Sequence, residues 1–194
     1  MSSKQRYPPR FPRSASGIRL QGARRTADRS WWSERWADFV ESACIPVRLG
    51  MGRRYASSGQ VLSISIDGSS VDAEVLGVRP DPYHVDISFS KPSAAAHRRI
   101  AAAFAAKPIL AARLLAGEMP MEVEEIFRRE KSFLFPGGKV APGKYDVVFS
   151  CSCPDWCNPC KHVAAALLLL GEEIARRPLT LLELRGFSTE ELSA

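Results

Sequence analysis

No stretch of this 194-residue sequence is long and apolar enough to suggest a membrane span. The longest apolar run, Val163 to Leu170, is closed by Gly171 and Glu172, well short of the roughly 18–20 residues such a helix needs. The N-terminus, MSSKQRYPPRFPRS, has basic residues but no apolar core behind them, so no secretory signal is predicted. Histidine is scarce, with three in the chain, and neither an H-E-x-x-H nor an H-x-E pattern occurs. The common helix-borne hydrolytic zinc sites are thereby excluded. Acidic residues are nearly missing from the first thirty positions, where Asp28 is the single example. These absences predict a soluble, cytoplasmic protein with no membrane contact.

What is present is ordinary in bulk and uneven in placement. Hydrophobic residues make up 45% and charged residues 25%, values typical of globular proteins and incompatible with a wholly disordered or fibrous chain. The length suits one good-sized domain, or one domain with a small appendage. The net charge of +6 is concentrated at one end. Residues 1–30 carry eight Lys/Arg, residues 31–150 are almost balanced, and residues 151–194 hold six acids against four bases. With few large apolar side chains and no periodicity, residues 1–30 are predicted to be a disordered basic arm. Its cations suit phosphates bound through counterion release, or else form a solvated tail.

Order is expected from about Ser30. Trp32, Trp36 and Val40 recur every four residues, predicting an amphipathic helix over 31–43, and a second short helix follows Pro46. The period then changes. Val61 to Ile66 and Val71 to Leu76 alternate around the Asp67-Gly68 turn, and Tyr83 to Phe89 follows Asp81-Pro82, giving a three-stranded antiparallel meander. Helices are expected from Ser93 to Lys107, from Pro108 to Gly117 and from Met121 to Lys131. A Pro/Gly loop over 136–143 leads to a strand over 145–150. Helix returns from His162 to Arg176, then a short apolar segment, and a capping box at Ser188-Thr189-Glu190-Glu191. The class is α+β: N-terminal helices, the meander, a helical segment, then a β-turn-α unit. The predicted division is an arm over 1–30, an α+β domain over 31–144 and a finger with its C-terminal helix over 145–194.

Four of the five cysteines fall within ten residues, in Cys151-Ser-Cys153-Pro-Asp-Trp-Cys157-Asn-Pro-Cys160-Lys-His162. A disulfide framework would spread its cysteines to join distant segments, whereas this density with an adjacent histidine suits a metal. A closed structural zinc site takes four sulfur or nitrogen ligands in a tetrahedron. A kinked strand end would place Cys151 and Cys153, and a loop-to-helix junction Cys160 and His162. The expected ligand set is Cys151, Cys153, Cys160 and His162, with Zn2+ as the ion.

This Cys-x-Cys, six-residue spacer, Cys-x-His pattern followed at once by an apolar helix resembles the SWIM zinc finger, most closely over Tyr145 to Ile174. The rest of the chain is similar to small bacterial proteins that carry this finger near the C-terminus. The similarity runs through Trp31-Trp32 with Arg35-Trp36, Gly52-Arg53 with Tyr55, Ser58 to Val61, Leu114 to Pro120, Leu134-Phe135-Pro136 and Leu184-Arg185-Gly186. The resemblance implies a zinc-binding module for DNA or protein interaction, working beside helicase-like ATPases of the SWI/SNF type. The chain has no Gly-x-x-x-x-Gly-Lys-Ser/Thr loop, so it would be an accessory part and not the motor. Cys157 departs from the pattern. It permits a four-thiolate site of Cys151, Cys153, Cys157 and Cys160 binding zinc or an iron–sulfur cluster, or a redox Cys157-x-x-Cys160 pair; zinc on three cysteines and His162 is favoured, with Cys157 beside the metal but unbound.

Other candidates carry less. Trp32 and Trp36 fit core packing better than base stacking. Arg53 and Arg54 with Tyr55, and Lys161 between two ligands, are candidate contacts to a nucleic acid or partner. His84 and His97 read as ordinary polar residues and Cys44 as a small core residue. Three functions follow. The first is a non-catalytic zinc adaptor for a protein partner such as a helicase-like ATPase, with no small-molecule substrate. The second is a sequence-nonspecific DNA-binding protein using the basic arm. A remote third is a thiol redox protein or zinc hydrolase, disfavoured because four ligands would fill the metal and Asp155 is the sole local carboxylate.

Overall fold

A computed structural model describes residues 12–22, 30–137, 139–141 and 144–193. The chain is α+β. Helix α1 (Trp31–Ala43) turns a Trp36, Phe39 and Val40 face inward, and α2 (Pro46–Ser57) begins with proline in its first turn, where the missing N–H costs no helical bond. Strands β1 (Val61–Asp67), β2 (Ser70–Val75) and β3 (Tyr83–Phe89) form the expected antiparallel meander. At the β1–β2 turn Gly68 takes a φ of +53°, a left-handed conformation that a Cβ would strain. Next come α3 (Ala94–Ala105), capped by the Ser93 hydroxyl accepting from Ala96 N, then α4 (Pro108–Leu115) and α5 (Met121–Arg129). The stretch expected as a plain loop contains a small hairpin, β4 (Lys139–Ala141) with β5 (Lys144–Tyr145).

Strand β6 (Val147–Cys151) pairs antiparallel with β3, giving a sheet ordered β1-β2-β3-β6. The segment expected to open a separate finger thus supplies the fourth strand of the meander's sheet. Helix α6 (Lys161–Arg176) follows and packs against the sheet, with α1 and α2 on it. Trp36 lies where a Cβ on Gly171 would come within 2.7 Å of its ring, and its indole N–H donates to Leu167 O at 3.1 Å. Gly52 gives the same close approach for α2, because a Cβ there would meet Ala164 Cβ at 2.6 Å. The two tryptophans read as core residues do pack inward: Trp36 is buried, and Trp32 is half-buried and donates to Ile174 O. Helices α7 (Leu179–Leu184) and α8 (Thr189–Ser193) complete the chain, with α8 against α3 and α4. No helix among the described residues is long and apolar enough to cross a membrane.

Part of the predicted arm is ordered against the fold. Ile18 forms a bridge with Val61, Gly17 N donates to Gly59 O at 2.9 Å, Leu20 N to Ala56 O at 3.1 Å and Arg13 N to Gly77 O at 2.9 Å. The expectation of disorder rested on side-chain composition, whereas 12–22 is held through backbone donors. Residues 1–11 and 23–29 of the same arm lie outside the described residues.

Candidate metal centre

Three local features bring the centre together. Cys151 ends β6, in register with Val85. Ser152 then clasps His84 of β3, its N–H donating to His84 O and its hydroxyl accepting from His84 N, both at 3.0 Å. The second feature is the turn beyond Pro154. Asp155 Oδ1 accepts from Cys157 N at 3.2 Å, an Asx-type turn, and also from the Arg48 guanidinium of α2 at 2.9 Å. Asn158 closes the loop by donating to Phe149 O at 2.8 Å. The third is the start of α6, where Cys160 is the N-cap and His162 the second helical residue.

The result is one group of donors. Ligand atoms of Cys151, Cys153, Cys160 and His162 all lie within 4.8 Å of one another. His162 Nδ1 faces the sulfurs, 3.8 Å from Cys151 Sγ and 3.7 Å from Cys160 Sγ. A tetrahedral zinc with ordinary bond lengths would set sulfur and nitrogen about 3.6 Å apart, so the donor set fits that ion. All five cysteines are free thiols, and soft sulfur with imidazole is the donor chemistry zinc prefers over magnesium or calcium. Cys157 is not in the group; its buried thiol turns to Pro159 O at 3.4 Å.

The electrostatics favour a cation here. The protein's own groups stabilise one thiolate: a hydrogen bond from Cys151, with burial opposing and His162 assisting, holds Cys160 far below the ordinary thiol range. The same contact, with burial, pushes Cys151 far up, and burial raises Cys153. Three thiolates this close repel one another unless a positive ion lies among them. Cys44, buried near Cys157 and Cys160, is pushed up to about 11 by burial first and then by these neighbours.

His162 is held as firmly as the cysteines. It is 1% exposed, stacked on Tyr83 with ring centres 4.5 Å apart, and met edge-on by Tyr55 at 5.4 Å. Its Nε2 has no hydrogen-bond partner, so the ring's position is set by the aromatic clamp and the donors facing Nδ1. The β2–β3 connection closes over it at Gly77, where a Cβ would fall 2.5 Å from Tyr83 Cε2. Tyr55 is raised above its ordinary range by burial and by nearby Tyr83. The three candidate contact residues sit around this core. Lys161 Nζ lies over the Tyr55 ring at 5.8 Å, while Arg53 and Arg54 are exposed on α2. Sequence reasoning missed Arg48, Tyr83 and Gly77, which lie 68 or more residues from Cys151 and carry no local pattern.

No protein-family model matches the chain, and no solved structure matches it. It is similar to the uncharacterized protein Rv2102 of Mycobacterium tuberculosis, with 36% identity over 195 residues covering 100% of this chain and 69% of that protein. The matched region covers the whole chain, and the chain belongs to the family of that mycobacterial protein.

Proposed function

We propose that the protein is a zinc-stapled, non-catalytic accessory factor of the SWIM type. Cys151, Cys153, Cys160 and His162 would hold Zn2+, and Cys157 would stay outside the coordination shell. The observation that carries this reading is the convergence of three sulfurs and His162 Nδ1 within 4.8 Å, without a disulfide. Bound zinc would supply folding energy by locking the end of β6 to the start of α6. Four protein donors leave no open position for substrate or water, and Asp155, the carboxylate in the loop, is engaged by Arg48 and Cys157 N. Both points support a structural role over hydrolysis.

The partner class comes from the SWIM resemblance: a helicase-like ATPase of a DNA-processing system, meeting the helical end of the finger. Six acids against four bases over 151–194 favour a protein partner for the finger's helical end over direct duplex binding. The test is metal content per chain by mass spectrometry on wild type and three variants. Wild type and Cys157→Ala should each carry about one zinc, and Cys153→Ala and His162→Ala should lose it. Metal retained in His162→Ala but lost in Cys157→Ala would replace this set with four cysteines. Pull-down of an ATPase by wild type, and not by His162→Ala, checks the partner.

A further inference from the structure

Around the metal centre four cations lack acidic partners, and Trp156 is open to water. On the remote helices most cations are neutralised: Arg35, Arg99, Lys107, Arg113 and Arg177 each hold a glutamate. Near the metal, Arg53, Arg54, Arg79 and Lys161 form no ion pair with any described carboxylate. Lys161 and Arg79 lie instead over the rings of Tyr55 and Tyr83, each at 5.8 Å. These rings clamp His162, so both cations are tied to the centre. Trp156 stands on the cysteine loop, 85% exposed, while the other tryptophans are buried or half-buried. Its loop is fixed to α2 by the Arg48–Asp155 ion pair at 2.9 Å. From Arg48 to Tyr55 along α2 is seven residues, about 10 Å, so the Trp156 loop and Lys161 meet α2 about two turns apart.

We propose that this face binds single-stranded nucleic acid, with Trp156 stacking on an unpaired base and Arg53, Arg54, Arg79 and Lys161 contacting phosphates. An exposed indole can stack only on a base whose face is free, which a duplex does not offer. Aromatic platforms beside a row of cations are how single strands are held without sequence preference. Within its loop the exposed neighbours of Trp156 are Ser152, Pro154 and Asn158, small or polar side chains that leave the indole open. The acids that make 151–194 negative do not oppose this. Apart from Asp155, which Arg48 neutralises, they lie from Glu172 onward, away from the loop. The proposal rests on the zinc-stapled reading to the extent that the metal fixes the Trp156 loop.

The test is fluorescence anisotropy of the full chain with a labelled oligodeoxythymidylate of about 15 nucleotides, within the site size of known single-strand binders. A duplex of equal length and poly-glutamate serve as competitors, and metal content is measured on the same samples. The single strand should bind at least about tenfold tighter than the duplex, and Trp156→Ala should weaken it about fivefold or more. The Arg53→Glu/Arg54→Glu variant should weaken it too, and should flatten the log–log salt slope by about 1.4, at roughly 0.7 per phosphate contact. Equal binding of duplex and single strand, with no effect of Trp156→Ala, would overturn the proposal. So would binding that survives these substitutions but disappears on deleting residues 1–11, which would place it on the arm. Poly-glutamate competing as well as the oligonucleotide at equal charge would mean an acidic protein surface instead. Zinc-loaded protein that binds no strand sinks this inference alone, whereas protein without zinc sinks the earlier reading.

Discussion

Asp146 and Arg185 form the one ion pair among the described residues with both side chains almost wholly buried, at 1% and 2% exposure. Arg185 donates to Asp146 Oδ2 at 2.7 Å, to Leu134 O at 3.0 Å and to Ser90 O at 3.0 Å, while Asp146 Oδ1 accepts from Gly137 N at 2.7 Å. The pair therefore ties the end of β3, the 134–137 loop, the entry to β6 and the end of α7 into one knot. Asp146→Asn keeps the shape and can keep the bond to Gly137, but strands a buried guanidinium. Breaking a buried pair in this way costs about 3–5 kcal/mol. At about 2–4 °C per kcal/mol for a chain of this size, the melting temperature should fall by about 6–20 °C. Arg185→Met should be at least as damaging, since it also leaves two buried carbonyls unpaired. The informative variant is the double one. Once the cation is gone, a neutral Asn is a better neighbour than a lone buried carboxylate, so Asp146→Asn should be neutral or stabilising in the Arg185→Met background. Urea unfolding of the four proteins gives the cycle. Equal cost of Asp146→Asn in both backgrounds would refute a charge-based role and leave only shape. Because Asp146 lies at the opposite end of the β3–β6 pairing from Cys151, folded Asp146→Asn protein should keep wild-type metal content.

Three further outcomes test other parts of the fold. Gly52→Val places side-chain carbon against Ala164 Cβ, where a Cβ already falls at 2.6 Å. Forcing α2 off α6 should cost about 1–3 kcal/mol in urea unfolding, and an unchanged midpoint would remove α2 from the support of the site. Gly17→Ala puts a Cβ 2.1 Å from Val61 O, so the 12–22 strap should detach and limited proteolysis should cut there while the rest resists. Uncut protein would mean that the strap does not depend on that close approach. At α8 the capping box closes as predicted, Ser188 N donating to Glu191 Oε2 at 3.0 Å and Glu191 N to Ser188 Oγ at 3.1 Å. Glu191 is depressed below the usual glutamate range, first by the Ser188 N–H and then by His97. Its contribution is thus complete above the ordinary glutamate pKa near 4.3 and lost as pH falls through the depressed value. Glu191→Ala should lower stability by a few tenths of a kcal/mol at neutral pH, where the exposed site screens the charge, and the gap should close in acid.

The parts of the fold carried by short-range pattern were legible. The i, i+4 tryptophans place α1, alternation about Asp67-Gly68 places β1 and β2, and Ser93 and Ser188 cap helices as their spacing predicts. The four donors were legible because zinc ligation needs particular atoms at short sequence spacing, and all four lie within twelve residues. What the sequence hid is long-range and acts through groups with no motif. The pairing of β6 with β3 joins segments separated by the whole α3–α5 stretch. Arg48 reaches Asp155 across 107 positions. The strap is held by its own backbone, and no composition argument sees an amide finding Gly59 O or Val61 O. The β4–β5 hairpin falls in a Pro/Gly-rich stretch of sequence, where such residues are a loop signal and a hairpin signal at once.

These long-range contacts change what the metal can be expected to do. A free-standing finger has almost no core and is unfolded without its ion. Here the first half of the centre ends a strand of a four-stranded sheet and the second half begins a helix buried along most of its length. Trp36 and Gly52 fix that helix to α1 and α2 at points away from the cysteines. The contacts that would depend on a bound ion are therefore those between the two halves: the thiols, the His162 ring between Tyr83 and Tyr55, and the loop carrying Trp156. Chelation of a bound ion should loosen this corner while sheet and helices persist, and the metal would then govern the shape of one surface more than the existence of the fold. It is the same corner where the unpaired cations and the open tryptophan are found.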